Sequence, residues 1–347
     1  MQLPEPIILG DMPLGPPVFL APMAGITDVP FRRAVARFGA GLMVSEMVAS
    51  TEMVTPRPST RAAVRAKALT EGLLPVSVQI AGREAQPMAE TARIVEGMGA
   101  RAIDINMGCP AKKVTGGLSG AALMRDLDHA LTLVDAVVGA VSVPVTLKMR
   151  LGWDDDCLNA ADLAARAQGA GVAMLTVHGR TRAQFYKGRA DWTAIRAVAD
   201  LPGRPPLVAN GDVTDADSAR AALAASGAEA VMVGRGAQGR PWLLADIAHR
   251  LWGCPAPVIP QGDALADLVA AHYEDMLDFY GIDLGLRVAR KHLGWYADAN
   301  AAPLRDQLLR APTPAATIAL IRRAFADAPD DAPALDALAK TPDEAAA

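Results

Sequence analysis

Cys109, Lys148, His178, Asn106 and Asn210 each stand at or just beyond the end of a short apolar run. A thiol serves as nucleophile or as proton donor, an ammonium forms a Schiff base or stabilises negative charge, and an imidazole carries out acid–base work. Cys109 lies in INMGCPAKKVTGGLSG, where Pro110 disfavours helix at the cysteine and glycines loosen the segment, so the thiol sits on a loop beside Lys112 and Lys113. Lys148 stands in VPVTLKMR, and His178 in VAMLTVHG is followed by Gly179 and Arg180. The residue types leave both roles of the cysteine and both roles of the lysine open.

Two further runs lead into NGDV, with Asn210, Gly211 and Asp212, and into GRGAQGRPW, with Gly234 and Arg235. Small residues let backbone N–H groups approach an anion while an arginine neutralises its charge, so these loops point to a phosphorylated ligand. Basic residues recur elsewhere: Lys112 and Lys113; Arg180, Arg182, Lys187 and Arg189; Arg287, Arg290, Lys291 and His292, with Phe185, Tyr186, Trp295 and Tyr296 among them. Cations for phosphates interleaved with rings for stacking suit a nucleic-acid surface.

The elements that must position these groups repeat. Eight apolar or β-branched runs (17–25, 41–48, 74–82, 100–108, 143–150, 172–179, 206–212 and 228–236) alternate with alanine-rich stretches whose apolar residues recur at three- and four-residue spacing. Parallel strands need helical crossovers, and eight such units close a ring, so the fold expected is an α/β (β/α)8 TIM barrel. The rival open sheet would want an early GxGxxG turn, where this chain has APMAGITD. In a barrel, function sits at the C-terminal strand ends. Those ends carry Pro22, Met23 and Ala24; Ser45 and Glu46; Gln79; Asp104 and Asn106; Lys148 and Arg150; His178; Asn210; and Gly234. Beyond residue 240 only helical patterns follow. The expected division is a catalytic barrel over 1–243, an all-helical domain over 244–326 and an acidic, disordered tail over 327–347.

At 347 residues with 51% apolar side chains, the chain supports a sizeable core and excludes disorder throughout. Cys109, Cys157 and Cys254 lie far apart without a CxxC pair, which argues against a disulfide framework or a structural zinc site and for a reducing, cytoplasmic setting. The N-terminus lacks the basic leader of a signal peptide, and no apolar run reaches membrane-spanning length. The net charge of −4 argues at first against a polyanionic partner, but residues 326–347 hold six of the 38 acids and one of the 34 bases. Without them 33 bases face 32 acids, and local clusters decide. Nothing indicates an obligate protein partner or a metal.

The segments APMAGITDVPFRR, SVQIAG, DINMGCPAKKV, LKMRLGWD, TVHGRTRAQFYKGRADW, NGDV, VMVGRGAQGRPW and RKHLGWY, in this order, resemble the tRNA-dihydrouridine synthases. The likeness is greatest to their bacterial B-type branch, also called nitrogen-regulation proteins, and runs from about residue 8 to 325. It implies an FMN-dependent oxidoreductase that reduces the C5=C6 bond of uridine in the tRNA D-loop, with NADPH as reductant and NADH as the alternative. By this resemblance Pro22, Met23 and Ala24 would border the isoalloxazine, Gln79 would bond its pyrimidine edge, and Lys148 would stabilise the reduced anionic flavin near N1 and C2. His178 would lie between flavin and substrate, and Asn210, Gly211, Asp212, Gly234 and Arg235 would form the phosphate end. Hydride would pass from flavin N5 to C6, and Cys109 would protonate C5. Asn106 would orient the uracil edge. The target base would be extruded to reach the flavin, with Arg180, Arg287, Arg290 and Lys291 on the substrate. Two rivals are a small-molecule flavin reductase of the dihydropyrimidine or dihydroorotate type, which has no need of the RKHLGWY region, and a tRNA-binding regulator on an inactive barrel, against which the Cys109, Lys148 and His178 set counts.

Overall fold

The structure is a computed structural model that describes residues 5–54 and 75–326. The acidic tail expected over 327–347 lies outside the described residues. The chain begins with an antiparallel hairpin of β1 (Ile7–Leu9) and β2 (Met12–Leu14). The strands that follow are β3 (Val18–Leu20), β4 (Leu42–Val44), β5 (Val48–Ala49), β6 (Val76–Ala81), β7 (Ile103–Met107), β8 (Val145–Arg150), β9 (Met174–His178), β10 (Leu207–Asn210) and β11 (Ala230–Val233). Eight of them pair in parallel around a closed ring, β3–β4–β6–β7–β8–β9–β10–β11 and back to β3, while β5 prolongs the β4 side and pairs with β6. Each barrel strand falls inside one of the eight runs read from the sequence.

Strand alternation sorts the side chains. Ile103, Ile105, Leu147, Leu175 and Val177 face outward, into a core shared with Leu133, Val134 and Val137 of the helix Leu127–Val138 and Leu163 of the helix Ala160–Gly169. The alternate positions face inward. Near the strand starts these are apolar, Phe19, Leu42, Met174, Val208 and Met232. Further along the strands they are polar, Gln79, Asn106, Lys148, Arg150, Thr176 and Asn210, and on β7 and β8 the polar positions already begin at Asp104 and Thr146; all are buried.

The hairpin was not legible as strands in the sequence. Ile7, Leu9, Met12 and Leu14 join the inward apolar cluster and close the N-terminal end of the barrel, so a ligand enters at the polar end. The helix Leu243–Trp252 buries Leu243, Leu244, Ile247 and Leu251 against Val18, Leu20 and Val231, and so completes the barrel wall. The sequence marks where strands stop, but not which core a helix joins. The second core belongs to the helices Gly262–Tyr280, Ile282–Ala299, Arg305–Arg310 and Pro314–Phe325, around Val269, Tyr273, Leu293, Tyr296 and Ile321. No helix among the described residues is long and apolar enough to cross a membrane.

The two cores meet along one barrel helix, Val29–Ala36, which Asp28 caps through the Phe31 N–H at 3.0 Å. Phe31 packs against His272 and His292, with ring centroids 5.9 and 5.6 Å away. Tyr280 donates its hydroxyl to Asp28 at 2.8 Å, and Arg33 pairs with Asp275 at 2.5 Å.

Candidate active site

The polar end of the barrel opens into a cavity of about 750 Å³. Pro22, Met23, Ala24, Gln79, Asn106, Cys109, Lys148, His178, Arg180, Asn210, Gly211, Asp212, Gly234 and Arg235 all line it. These come from seven different strands or the loops that follow them. Register sets Asn106 beside Lys148 and, two residues further along β8, Arg150 beside His178, which pairs in turn with Asn210.

A continuous chain of hydrogen bonds runs up the β6–β7–β8 side of the cavity. Thr146 and Gln79 donate to the two oxygens of Asp104, each at 2.6 Å. Asn106 Nδ2 donates to Gln79 Oε1 at 2.7 Å, and Asn106 Oδ1 accepts the N–H groups of Gly108 at 3.1 Å and Cys109 at 2.9 Å. Asn106 therefore spends its carbonyl on the cysteine loop, and its second amide N–H meets Met47 Sδ at 3.6 Å, a weak acceptor that a ligand edge could replace. The half-buried Cys109 sits on this braced turn. Its own carbonyl accepts from Ala121 at 3.1 Å, which ties down the far side of the loop.

Lys148 Nζ donates to Asn210 Oδ1 at 3.0 Å, and Asn210 Nδ2 donates to the Met232 carbonyl at 2.8 Å. Burial pushes the Lys148 ammonium down from its ordinary pKa and the Asp104 carboxyl up, because each is taken out of water. Their opposite charges partly offset that cost. The lysine brings a desolvated positive charge to the cavity floor.

Arg180 is 1% exposed and its donors are committed. It gives two N–H bonds to Asp212, at 3.0 and 2.6 Å, and others to the carbonyls of Lys187 at 3.1 Å and Gly188 at 2.7 Å. Expected at the substrate, it lines the cavity and also locks the loop after β9 onto the loop after β10. Its Nη1 lies 3.3 Å from His178 Nε2. A guanidinium only donates, so Nε2 accepts and the ring proton belongs on Nδ1. Burial, with the charges of Lys148, Arg150, Arg180 and Arg235, holds the His178 pKa well below the usual value. The imidazole is neutral. Asp212 is held below the ordinary carboxylate range by its bonds from Arg180 and Ala190, against the opposing effect of burial. It is a counter-ion that aims two arginines, with Arg235 Nη2 3.8 Å away.

Gly211, at φ +111°, is required where it stands, since a Cβ there would come within 2.8 Å of His178 Cδ2 and of Ala190 Cβ. Arg235 stays half exposed and stacks over Tyr186 at 5.0 Å. The opposite face of the mouth is set by Arg150, named in the sequence only as a strand end. It is 1% exposed and donates to the carbonyls of Gly108, Thr181 and Phe185, all at 2.8 Å. One side chain thus binds the cysteine loop to the loop after β9. An arginine at an inward position of a barrel strand was its sequence signal. The hydrogen bond from Trp192 Nε1 to the Gly211 carbonyl, at 2.8 Å, had none.

The expected RNA contacts divide. Arg287 and Arg290 are exposed on the helix Ile282–Ala299, with Arg287 Nε on the Asp283 carbonyl at 3.2 Å. Lys291 instead donates to the Gly25 carbonyl of the barrel. Among the described residues no cluster of three or more His, Cys, Asp or Glu side chains could hold a metal.

Residues 19–329 match the family model described as Dihydrouridine synthase (Dus). A "Probable tRNA-dihydrouridine synthase" of Rhodobacter capsulatus is 68% identical over 321 residues, 92% of this chain and 98% of the relative. One of Rhizobium leguminosarum bv. phaseoli is 54% identical, over 83% of this chain and 87% of its own. A "tRNA-dihydrouridine synthase B" of Xanthomonas axonopodis pv. citri is 46% identical, over 91% and 95%. Among solved structures, morphinone reductase in complex with tetrahydroNAD superposes with a TM-score of 0.54 at 16% identity, over 76% of this chain and 94% of that one, which shows a shared barrel fold.

Proposed function

The chain belongs to the dihydrouridine synthase family, and from that premise we propose that it reduces uridine in tRNA to dihydrouridine, using bound FMN and NADPH. The observation that carries this reading is the position of Cys109. It is a half-buried thiol braced by Asn106 in the loop after β7, the strand that stands four places around the ring from β11, whose end carries Gly234 and Arg235.

The cavity suits a flavin phosphate in size, within the about 300–1,000 Å³ typical of cofactor sites, and in chemistry. Ala24, Gly211 and Gly234 leave room for a flat ring, and Lys148 brings a buried cation to one side of it. Arg235, half exposed at the end of β11, offers charge to a phosphate, with Gly211 and Gly234 giving close backbone approach. A flavin held there would supply a hydride to C6 of the uracil. Addition of hydride to C6 places negative charge on C5 and the C4 carbonyl, and one proton at C5 completes the reduction.

Cys109 is the group suited to give that proton. His178 is neutral, with Nε2 already accepting from Arg180, so it has no proton to spare near neutral pH. Lys148 is bonded to Asn210 and serves by its charge. Asn106 holds the cysteine loop and can exchange the weak bond of its second amide N–H to Met47 Sδ for one to the base. The exposed Arg287 and Arg290 hold tRNA phosphates outside the cavity, in the cytoplasm where that substrate is found.

The test is to photoreduce the enzyme without oxygen, mix it with tRNA lacking dihydrouridine and follow flavin absorbance. Rapid return of the oxidised spectrum is expected. A flavin that stays reduced would favour a small-molecule reductase, and a protein that binds no flavin would end the redox reading.

A further inference from the structure

Lys291 follows Arg290 in the RKHLGWY segment, yet it turns to the barrel rather than to solvent. Its ammonium donates to the carbonyl of Gly25, and the N–H of Gly25 donates to Oε1 of Glu46, a buried carboxylate just past β4. Gly25 is thus gripped from two directions, from the helical region and from the neighbouring strand. Its φ of +75° favours glycine, and a Cβ at this position would stand 3.4 Å from Lys291 Nζ, in the space the lysine approaches.

The segment so gripped is a wall of the cavity, since Pro22, Met23, Ala24 and Ile26 all line it. Within itself the turn is closed by the N–H groups of Ile26 and Thr27 on the Met23 carbonyl, at 2.9 and 3.0 Å, and by Met23 N–H on Thr27 Oγ1 at 2.9 Å. Those bonds give the turn its shape but do not anchor it to the rest of the barrel. Its ends are held by Ala21 N–H on the Val233 carbonyl at 2.8 Å and by Arg32 on the Thr27 carbonyl at 2.9 Å, and between them Gly25 ties the middle of the wall to other elements. Glu46 and Asp28 place two buried carboxyls beside it, and the Lys291 charge attracts the Asp28 carboxylate that Glu46 repels. A cation here offsets negative charge that burial would otherwise leave uncompensated.

We propose that Lys291 is a positioning residue for the cavity rather than an RNA contact. By holding the Gly25 carbonyl it fixes the wall 22–26 and joins the helix that presents Arg287 and Arg290 to the wall against which the flavin would lie. Binding of tRNA on that helix and the geometry of the redox cavity are thereby mechanically coupled. The consequence for the flavin rests on the function proposed above; the tie between Lys291 and the wall does not.

Backbone hydrogen exchange of the full chain without tRNA, read in the peptide spanning residues 21–28, tests the tie directly. Lys291→Met should speed exchange there by about tenfold, with other barrel peptides unchanged, because a local anchor is lost while the fold remains. Lys291→Arg should restore protection, and Arg290→Ala should leave the peptide as in the wild type. In the flavin-loaded protein Lys291→Met should also release FMN faster, while its tRNA affinity keeps the wild-type salt dependence. Unchanged exchange in residues 21–28, or a salt slope reduced by about one on Lys291→Met, overturns the proposal. A wild-type chain that takes up no FMN would instead overturn the functional reading, and the exchange comparison would still decide the role of Lys291.

Discussion

The backbone N–H of Cys109 donates to the side-chain carbonyl of Asn106 at 2.9 Å, so the amide on the strand end is the handle of the thiol's loop. The two residues act as one unit. A general acid typically contributes about 10²- to 10⁴-fold, so Cys109→Ala should slow oxidation of the reduced flavin by tRNA within that range and leave flavin binding intact. Asn106→Ala should slow it by about tenfold or more by misplacing the same thiol, and the double variant should be no slower than Cys109→Ala alone. Stopped-flow absorbance checks this, and losses that multiply would show that the two residues work separately.

Arg180 supports the site as architecture. Its buried guanidinium serves four carbonyl or carboxylate oxygens across two loops, so Arg180→Ala leaves the carbonyls of Lys187 and Gly188 and the Asp212 carboxylate without their donor. Arg180 is buried but Asp212 is 31% exposed, so water replaces part of the lost pairing and the cost is about 1–3 kcal/mol. Arg180→Lys should recover little, because an ammonium cannot reproduce the fork. Urea unfolding measures the cost, and a loss under about 1 kcal/mol would return Arg180 to the substrate.

Stability of the flavin-free protein should fall in acid, by a difference between opposing groups. Burial holds His272 down to about 3 and places His178 and His292 well below the usual histidine value. Below pH about 6.5 the unfolded chain takes up protons on these three that the folded chain refuses, so stability drops as pH falls. Asp28, lifted by burial to about 7, and Asp104, raised by the same cause, work the other way, since the folded state keeps protons that the unfolded state has lost. Three against two leaves a net loss of up to about 1.4 kcal/mol per pH unit between roughly pH 6 and 4. His272→Phe should flatten that slope by about one proton. Urea midpoints from pH 7 to 4 test it, and an unchanged slope would remove His272 from the account.

Arg290 is exposed on the helix whose next residue is committed to Gly25. If it meets an RNA phosphate, Arg290→Ala should weaken tRNA binding and lower the slope of log K against log salt by about 0.7–0.9, without affecting single-turnover chemistry at saturating tRNA. A slope equal to the wild type would place the RNA elsewhere on the surface.

Local rules explain how far the sequence alone could be read. Strand runs such as VPVTLKMR and helix caps such as Asp28 and Asp215 are set by neighbours a few residues away, so the eightfold alternation and the barrel followed from the chain as written. The strand-end rule then brought Cys109, Lys148, His178, Asn210 and Arg235 to one mouth, because strand parity and the direction of parallel strands leave no other end for them. The hairpin Ile7–Leu14 escaped because its three-residue strands carry too few positions to show alternation, and it is secured by the barrel floor beneath it.

What each long polar side chain does was settled only by the tertiary structure. Arg180, Arg290 and Lys291 are all cations in basic clusters of the sequence, yet one lies buried on Asp212, one faces solvent and one reaches Gly25 across the seam. Asn106, expected at the uracil edge, holds the cysteine loop with its carbonyl. A residue's type fixes which atoms it can bond and its strand parity fixes which way it leaves the backbone. The partner it finds depends on segments distant in sequence that only the closed ring brings within 3 Å of one another, as with Asn106 and Gln79 or Arg180 and Asp212.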